Sequence, residues 1–187
     1  MDAIRRRRHH ADQAGFTLVE LMVVVVITGI LATIGIMLVR GHLNAAKVNR
    51  ALAGVQAIRV AQEQYRAQGG QYLSCSSFVD PRWYPMEVPD QLVHDWRNFT
   101  RAGDGACWKQ LGVLQDGSGT QYGYLVHAGL PGAGYPTLEL ADAPALPASA
   151  QLWYVIQVKG DIDGDGSFMQ GVATSYSGEV YLENEGE

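Results

Sequence analysis

The stretch GFTLVELMVVVVITGILATIGIMLV, residues 15 to 39, decides the fold of this chain. From Phe16 to Val39 it runs for 24 residues and holds a single charged side chain, Glu20. A helix of that length spans about 36 Å at about 1.5 Å per residue, which exceeds the roughly 30 Å hydrocarbon core of a bilayer. We therefore predict a membrane-spanning helix, and the carboxylate near its start requires an explanation.

The helical pattern continues beyond the apolar stretch. Apolar residues recur at steps of three and four, and no proline interrupts residues 16 to 68. Gly69 and Gly70 then supply a helix stop signal. The pattern predicts one helix over residues 16–68, apolar on all sides in its first half and amphipathic in its second. The apolar stripe of the second half comprises Val48, Leu52, Val55, Ile58, Ala61 and Tyr65.

The remaining chain changes character twice. Residues 71 to 120 are irregular and broken by prolines, with a short helix expected at Ala106–Leu111. Beyond them the apolar period becomes two, which is typical of strands. We predict an α+β fold, in which the C-terminal half of the long helix packs on one face of a small antiparallel sheet. The expected strands are Tyr122–His127, Gln151–Val158, Phe168–Ser175 and Glu179–Glu183.

Charge is distributed unevenly along the chain. The net charge is −5, but residues 1–15 sum to +2 because four arginines, residues 5 to 8, outnumber Asp2 and Asp12. A basic flank before an apolar helix is typical of the cytoplasmic side, so the domain beyond the helix should be exported. The acidic remainder of the chain gives no support to a nucleic-acid partner, which would need clustered Lys and Arg.

The two cysteines, Cys75 and Cys107, both lie beyond the apolar helix. An exported domain with two cysteines suggests one disulfide between them. The alternative is a pair of buried free thiols, which the spacing alone does not exclude. A metal site at these cysteines is not expected, since no CxxC motif or neighbouring pair of histidines accompanies them.

The opening residues GFTLVELM, Gly15 to Met22, resemble the processing and methylation signature of type IV prepilins. In that signature a short basic leader ends in Gly, and Phe-Thr-Leu-x-Glu opens a long apolar helix. The predicted helix and sheet also resemble the pilin fold. The resemblance implies cleavage by a prepilin peptidase between Gly15 and Phe16, N-methylation of Phe16, and an assembly role for Glu20. It divides the chain into a leader (1–15), a transmembrane and assembly helix (16–39), an amphipathic continuation (40–70) and a C-terminal globular domain (71–187).

Glu20 needs a partner, because a carboxylate in hydrocarbon costs about 2.5 kcal/mol or more. The α-amine of Phe16 on a neighbouring subunit is such a partner, and it exists only after cleavage. Pairing the two would set the register between helices. The alternative is that Glu20 reaches the membrane interface of an ordinary signal anchor. Related pilins usually carry proline where this chain has Met37, so loosening of the helix on assembly stays an open question.

A second candidate site is the segment GDIDGDG. Asp161, Asp163 and Asp165, followed by Gly166, repeat the opening of a calcium loop. An EF-hand would need Glu at the position of Val172, so the segment is not an EF-hand. Because some pilins and pseudopilins hold calcium in a C-terminal loop, the resemblance makes Ca²⁺ a candidate cofactor. The alternative is a plain hairpin turn, since Asp-Gly pairs form turns readily.

These features favour a structural subunit of a type IV pilus, a homo-oligomer that polymerises into a helical filament. Its partners would be a prepilin peptidase, the pilus or secretion assembly machinery, and the inner membrane before assembly. Two alternatives stay open: a periplasmic pseudopilin of a type II secretion system, and a signal-anchored periplasmic binding domain that never polymerises. An enzyme is not expected, because no phosphate-binding loop, nucleophile elbow or pair of catalytic carboxylates stands out.

Overall fold

A computed structural model describes residues 15–97, 105–113, 119–161 and 163–185. The chain falls into two compact units that divide between Arg40 and Gly41. The division lies inside one long helix, α1, which extends over Leu18–Gly69. The leader residues 1–14 lie outside the described residues.

Both ends of α1 have capping interactions that are typical of helix termini. The hydroxyl oxygen of Thr17 accepts the backbone N–H of Glu20 at 3.2 Å, so Thr17 is the N-cap residue. At the other end the N–H of Gly70 donates to the carbonyl of Arg66 at 2.8 Å. Gly70 has φ +75°, a left-handed conformation that glycine adopts without strain. The single long helix predicted from the sequence is confirmed, with 52 residues.

In the first unit, the apolar side chains of α1 point outward on every side. Between Phe16 and Ile34 the large apolar residues are from 50% to 82% exposed. The segment Leu18–Gly35 has a mean hydropathy of 2.4, and by length and composition it can cross a membrane. The hydroxyls of Thr28 and Thr33 donate to carbonyls one turn earlier, at 2.8 and 2.9 Å, so neither adds an unpaired donor to the apolar surface.

The second unit contains a four-stranded antiparallel sheet in the order β1-β2-β3-β4. This arrangement confirms the predicted α+β class and the number of strands. Adjacent strands in the sequence are adjacent in the sheet, so each connection is a hairpin or a longer loop. The strands are β1 (Gly123–Gly129), β2 (Trp153–Gly160), β3 (Met169–Thr174) and β4 (Val180–Glu183).

The second half of α1 packs on the inner face of this sheet. Ala51, Val55 and Ile58 are fully buried, and they contact the inward-facing residues of β1 and β2 in one core cluster. The hydroxyl of Tyr122, the residue directly before β1, reaches the helix backbone. Tyr122 donates to the carbonyl of Lys47 at 2.7 Å. The hydroxyl both satisfies a buried polar group and fixes the position of the helix along the sheet.

The outer face of the sheet is also covered, which the sequence analysis did not predict. A second core cluster buries Trp153, Val155 and Val172 beneath the Pro- and Gly-rich loop of residues 130–150. The side chain of Gln157, 2% exposed, accepts the N–H of Glu139 and donates to the carbonyl of Thr137. The expectation of one buried face was therefore incomplete. β2 is apolar on both sides, and such a strand needs two covering layers.

The irregular region after α1 is held by one short helix, a disulfide and aromatic packing. Helix α2 covers Gly105–Leu111, close to the short helix predicted there. Gln62, fully buried on α1, binds both the N–H and the carbonyl of Leu73 through its side-chain amide. These two bonds fix the start of the region against α1. The aromatic cluster consists of Tyr84, Trp96, Trp108 and Tyr124.

Candidate processing and assembly site

The bond between Gly15 and Phe16 lies just outside the helix. Both residues are exposed, Phe16 to 82%, and α1 begins two residues later at Leu18. A Cβ built on Gly15 would meet no atom within 4 Å. The bond therefore lies outside the helix, which begins only after the N-cap at Thr17, and its two residues are exposed, as cleavage there would require.

Glu20 is the third residue of α1 and lies in its first turn. With Thr17 it forms the sequence pattern Thr-x-x-Glu of a capping box. A carboxylate in the first turn is stabilised by the unpaired N–H groups of the helix N-terminus. The side chain is exposed, and no Lys or Arg of the described ranges forms an ion pair with it. Within one chain, the helix terminus is thus its main stabilising feature, and the carboxylate is open to a partner.

The role of Thr17 as a helix cap was not part of the sequence analysis. Its signal was present in the sequence, because Thr followed three residues later by Glu before an apolar run is a capping signature. The same signature explains why the helix begins close to the predicted cleavage point. Removal of the leader would leave Phe16 as a single residue ahead of the cap.

The two cysteines form a disulfide in the second unit, with Cα atoms 5.3 Å apart. Cys75 comes shortly after α1 and lies against β1, where its N–H donates to the carbonyl of Val126 at 3.0 Å. Cys107 lies in α2. The bond joins residues 32 positions apart and ties both ends of the irregular region to the core, a role that such a loop-rich segment requires.

The three aspartates of the β2–β3 connection converge. One carboxylate oxygen from each of Asp161, Asp163 and Asp165 lies within 4.8 Å of the others. The backbone between them is tightly turned, since Gly164 and Gly166 both have φ +88°. Each carboxylate also accepts one backbone N–H from the loop, at 2.6 to 3.3 Å. The geometry suits a tight hairpin turn, and the oxygens could also bind a hard cation.

The displaced pKa values of the second unit have structural causes. Burial raises the pKa of Tyr122 and of Tyr154 to about 12, and burial lowers the pKa of His127. Tyr122 and His127 also bond to backbone carbonyls, those of Lys47 and Ser77. These groups are therefore accounted for by packing, and none requires a role in a reaction. The processing residues belong to the first unit, whereas the disulfide and the aspartates belong to the second.

The chain thus combines an apolar helix long enough to cross a membrane, an exposed Gly15–Phe16 bond at its start and a small antiparallel sheet. Comparison with known proteins matches the start of this helix. Residues 10–36 match the family profile of the prokaryotic N-terminal methylation motif. No solved structure gave a significant match.

Relatives of known description resemble the chain in part. A fimbrial protein of Pseudomonas aeruginosa is 38% identical over 106 residues, which cover 57% of this chain and 64% of the relative. Fimbrial protein EcpB of Eikenella corrodens is 43% identical over 58 residues, covering 31% and 36%. Type II secretion system core protein G of P. aeruginosa is 44% identical over 63 residues, covering 34% and 44%. The chain thus spans between about a third and two thirds of the length of these relatives.

The chain is thus similar to fimbrial proteins and to a core protein of a type II secretion system over part of its length, and it carries the N-terminal methylation motif. The apolar helix and this motif fit a protein anchored in the inner membrane by its N-terminal segment.

Proposed function

We propose that the chain is a structural subunit of a type IV pilus, cut by a prepilin peptidase after Gly15 and polymerised through the first half of α1. The observation that carries the proposal is the exposure of the apolar residues of this segment on every side. Lipid covers such a surface before assembly, and a bundle of identical helices covers it afterwards. Of these two environments, the bundle also offers Glu20 a cation, the α-amine of Phe16 in a neighbouring copy.

A pseudopilin of a type II secretion system is the second candidate. It is supported by the similarity to core protein G of such a system. One difference favours the pilus. The alignment with the P. aeruginosa fimbrial protein covers 106 residues, whereas that with core protein G covers 63. At least 54 residues of the longer alignment lie outside the 52 residues of α1, whereas for the shorter alignment this minimum is 11. We assign no reaction to the chain.

The test is substitution of Glu20 by Ala in the full chain, with Glu63→Ala as the matched control. Glu63 is an exposed carboxylate of the second half of the same helix. We expect Glu20→Ala to abolish filaments recovered by shearing, because the apolar bundle loses the carboxylate that pairs with the amine. Glu63→Ala should leave the yield unchanged. Mature subunit in the membrane fraction would show that loss occurred at assembly. Normal filaments from Glu20→Ala would instead favour the non-polymerising anchored domain.

We further propose that the loop of Asp161, Asp163 and Asp165 binds Ca²⁺. The three converging carboxylates would supply about half of the six to eight oxygens that Ca²⁺ takes, with backbone carbonyls and water supplying the rest. The measurement is the thermal unfolding of the full chain in detergent with Ca²⁺, with Mg²⁺ and with a chelator. Ca²⁺ alone should raise the unfolding temperature, and Asp163→Asn should remove the increase. An unchanged unfolding temperature would leave the segment a plain turn.

A further inference from the structure

The face of α1 that points away from the sheet has a regular pattern of its own. Its residues succeed one another at alternating steps of three and four, a mean of 3.5, which is the spacing of helices that pack along one another. All are exposed except Ala57, which is half-buried. We call this face the outer seam. It consists of Leu43, Ala46, Arg50, Ala53, Ala57, Val60, Gln64 and Ala67.

The outer seam is shaped to receive a helix. Four of its eight members are alanine, whose small side chains allow two helix backbones to approach closely. Val60 is 56% exposed and lies in a shallow cleft of about 240 Å³ between α1 and Gly112. An exposed apolar residue that lines an open cleft can contact a side chain of a partner.

The charges identify the partner. The outer seam has one charged residue, Arg50, and within the described parts of the chain no carboxylate pairs with it. The apolar segment Phe16–Val39 also has one charged residue, Glu20, likewise without an ion-pair partner there. One surface therefore offers an apolar helix with a single carboxylate, and the other offers an apolar groove with a single guanidinium.

We propose that the outer seam binds the segment Phe16–Val39 of a second copy of the chain, with Glu20 of that copy paired to Arg50. The proposal rests on the proposed function, since it concerns contacts within the filament. The two helices run parallel and are displaced by 30 residues, which corresponds to about 45 Å along the helix. Arg50 adds to the α-amine of Phe16 as a cation for Glu20, and a carboxylate with two oxygens accepts both.

The pair selects the register between the copies. Covering Arg50 with an apolar helix that brings no carboxylate would bury an unpaired charge, which is unfavourable. Sliding the second copy by one or two turns would produce that unfavourable state and would also leave Glu20 against alanine or leucine. A single buried polar pair can fix the register of apolar helices in this way.

Engineered disulfides test the register with both charges intact. Val23 and Ala53 lie three residues beyond Glu20 and Arg50, so the proposal places them opposite each other. In one chain they are about 45 Å apart along the helix, so a bond between them must join two copies. Mild oxidation of filaments of the Val23→Cys, Ala53→Cys variant should give covalent multimers on non-reducing gels. The control pairs Val23→Cys with Ala46→Cys, two turns earlier on the outer seam, and should stay monomeric.

A charge reversal provides the second measurement. Arg50→Glu should lower the yield of sheared filaments by about tenfold or more, whereas Lys109→Glu makes the same charge change on an exposed residue of α2 and should not. Unfolding followed by tryptophan fluorescence should be the same for both variants, which shows that the fold survives. Filaments that crosslink through Ala46, or an unchanged yield for Arg50→Glu, would overturn this register. Absence of filaments from the unmodified chain would instead overturn the proposed function.

Discussion

The two halves of α1 belong to one helix but depend on different partners. In the first half, Ile30 is 58% exposed, and its apolar neighbours are exposed to a similar degree. In the second half, Ile58 is fully buried against the sheet. The chain thus covers the sheet-facing side of the second half with its own residues, and it leaves every side of the first half to be covered by lipid or by other copies.

Because of this difference, we expect the second half of α1 to determine folding stability and the first half to determine assembly. Interactions of the second half contribute to the folding of the second unit, whereas those of the first half contribute only when other molecules are present. The separation can be tested optically, because the four tryptophans, residues 83, 96, 108 and 153, are all buried in the second unit. Their fluorescence reports the unfolding of that unit alone.

The largest effect is expected from the same substitution made in the two halves. Ile58→Ala should lower the free energy of unfolding of the second unit by about 2–5 kcal/mol, because it removes buried methylene groups and leaves a cavity. Ile30→Ala removes the same atoms from an exposed position and should leave this free energy unchanged. Urea unfolding of the detergent-solubilised full chain, followed by tryptophan fluorescence, measures both.

The same pair of variants should behave differently in assembly. Ile30→Ala removes apolar surface from the helix bundle, so it should lower filament yield although folding is intact. Equal loss of folding stability from both substitutions would show that the second unit depends on the first half of α1. The two halves would then not differ in their contribution to folding.

A smaller effect is expected at the outer face of the sheet, which the chain also covers with its own residues. Gln157→Leu should lower the free energy of unfolding by about 1–3 kcal/mol, because the N–H of Glu139 and the carbonyl of Thr137 lose their buried partner. Limited proteolysis should then cut the loop of residues 130–150 faster. Gln68→Leu, on an exposed position of α1, is the control and should change neither quantity. Unchanged proteolysis in Gln157→Leu would mean that the apolar cluster alone holds the loop.

The sequence predicted those features that depend on local periodicity. The continuous helix could be predicted from its apolar stripe and from Gly70. This glycine has the left-handed conformation that ends the helix. The number of strands could be read from their alternation. The predicted cleavage bond likewise rests on sequence alone, because Gly15, Phe16 and Glu20 belong to one short pattern that does not depend on tertiary structure.

The features that the sequence did not predict depend on contacts between distant residues. The loop of residues 130–150 has no periodic pattern, and only the sheet beneath it makes it a covering layer. The strand β2 did carry a signal, since Trp153 and Val155 are apolar on the side opposite Tyr154. A strand that is apolar on both faces indicates two covering layers, and this loop is long enough to supply the second.

The smallest predicted effect concerns the edge of the sheet and depends on pH. His127 of β1 is 1% exposed, and its Nε2 lies 3.0 Å from the carbonyl oxygen of Ser77. A carbonyl only accepts hydrogen bonds, so Nε2 carries the proton and donates it to this bond, while the buried Nδ1 has no hydrogen-bond partner in the described residues. Burial keeps the pKa of His127 below its ordinary value of 6.5. The folded state therefore holds a neutral imidazole, which fastens the segment after Cys75 to β1.

The lowered pKa of His127 gives the pH dependence its sign. As the pH falls below about 6.5, the unfolded chain binds a proton at His127 before the folded chain does, so stability is lost. The loss continues until the pH passes the lowered pKa of the folded state. His127→Gln keeps a donor for Ser77 and removes the titration, so its unfolding temperature should fall less between about pH 7.5 and about pH 5.5 than that of the unmodified chain. His42→Gln, an exposed site of α1, is the control. Equal decreases in all three proteins would show that His127 binds its proton at the same pH in the folded and unfolded states, and that the edge of the sheet is not covered as tightly as the helix face that bears Ile58.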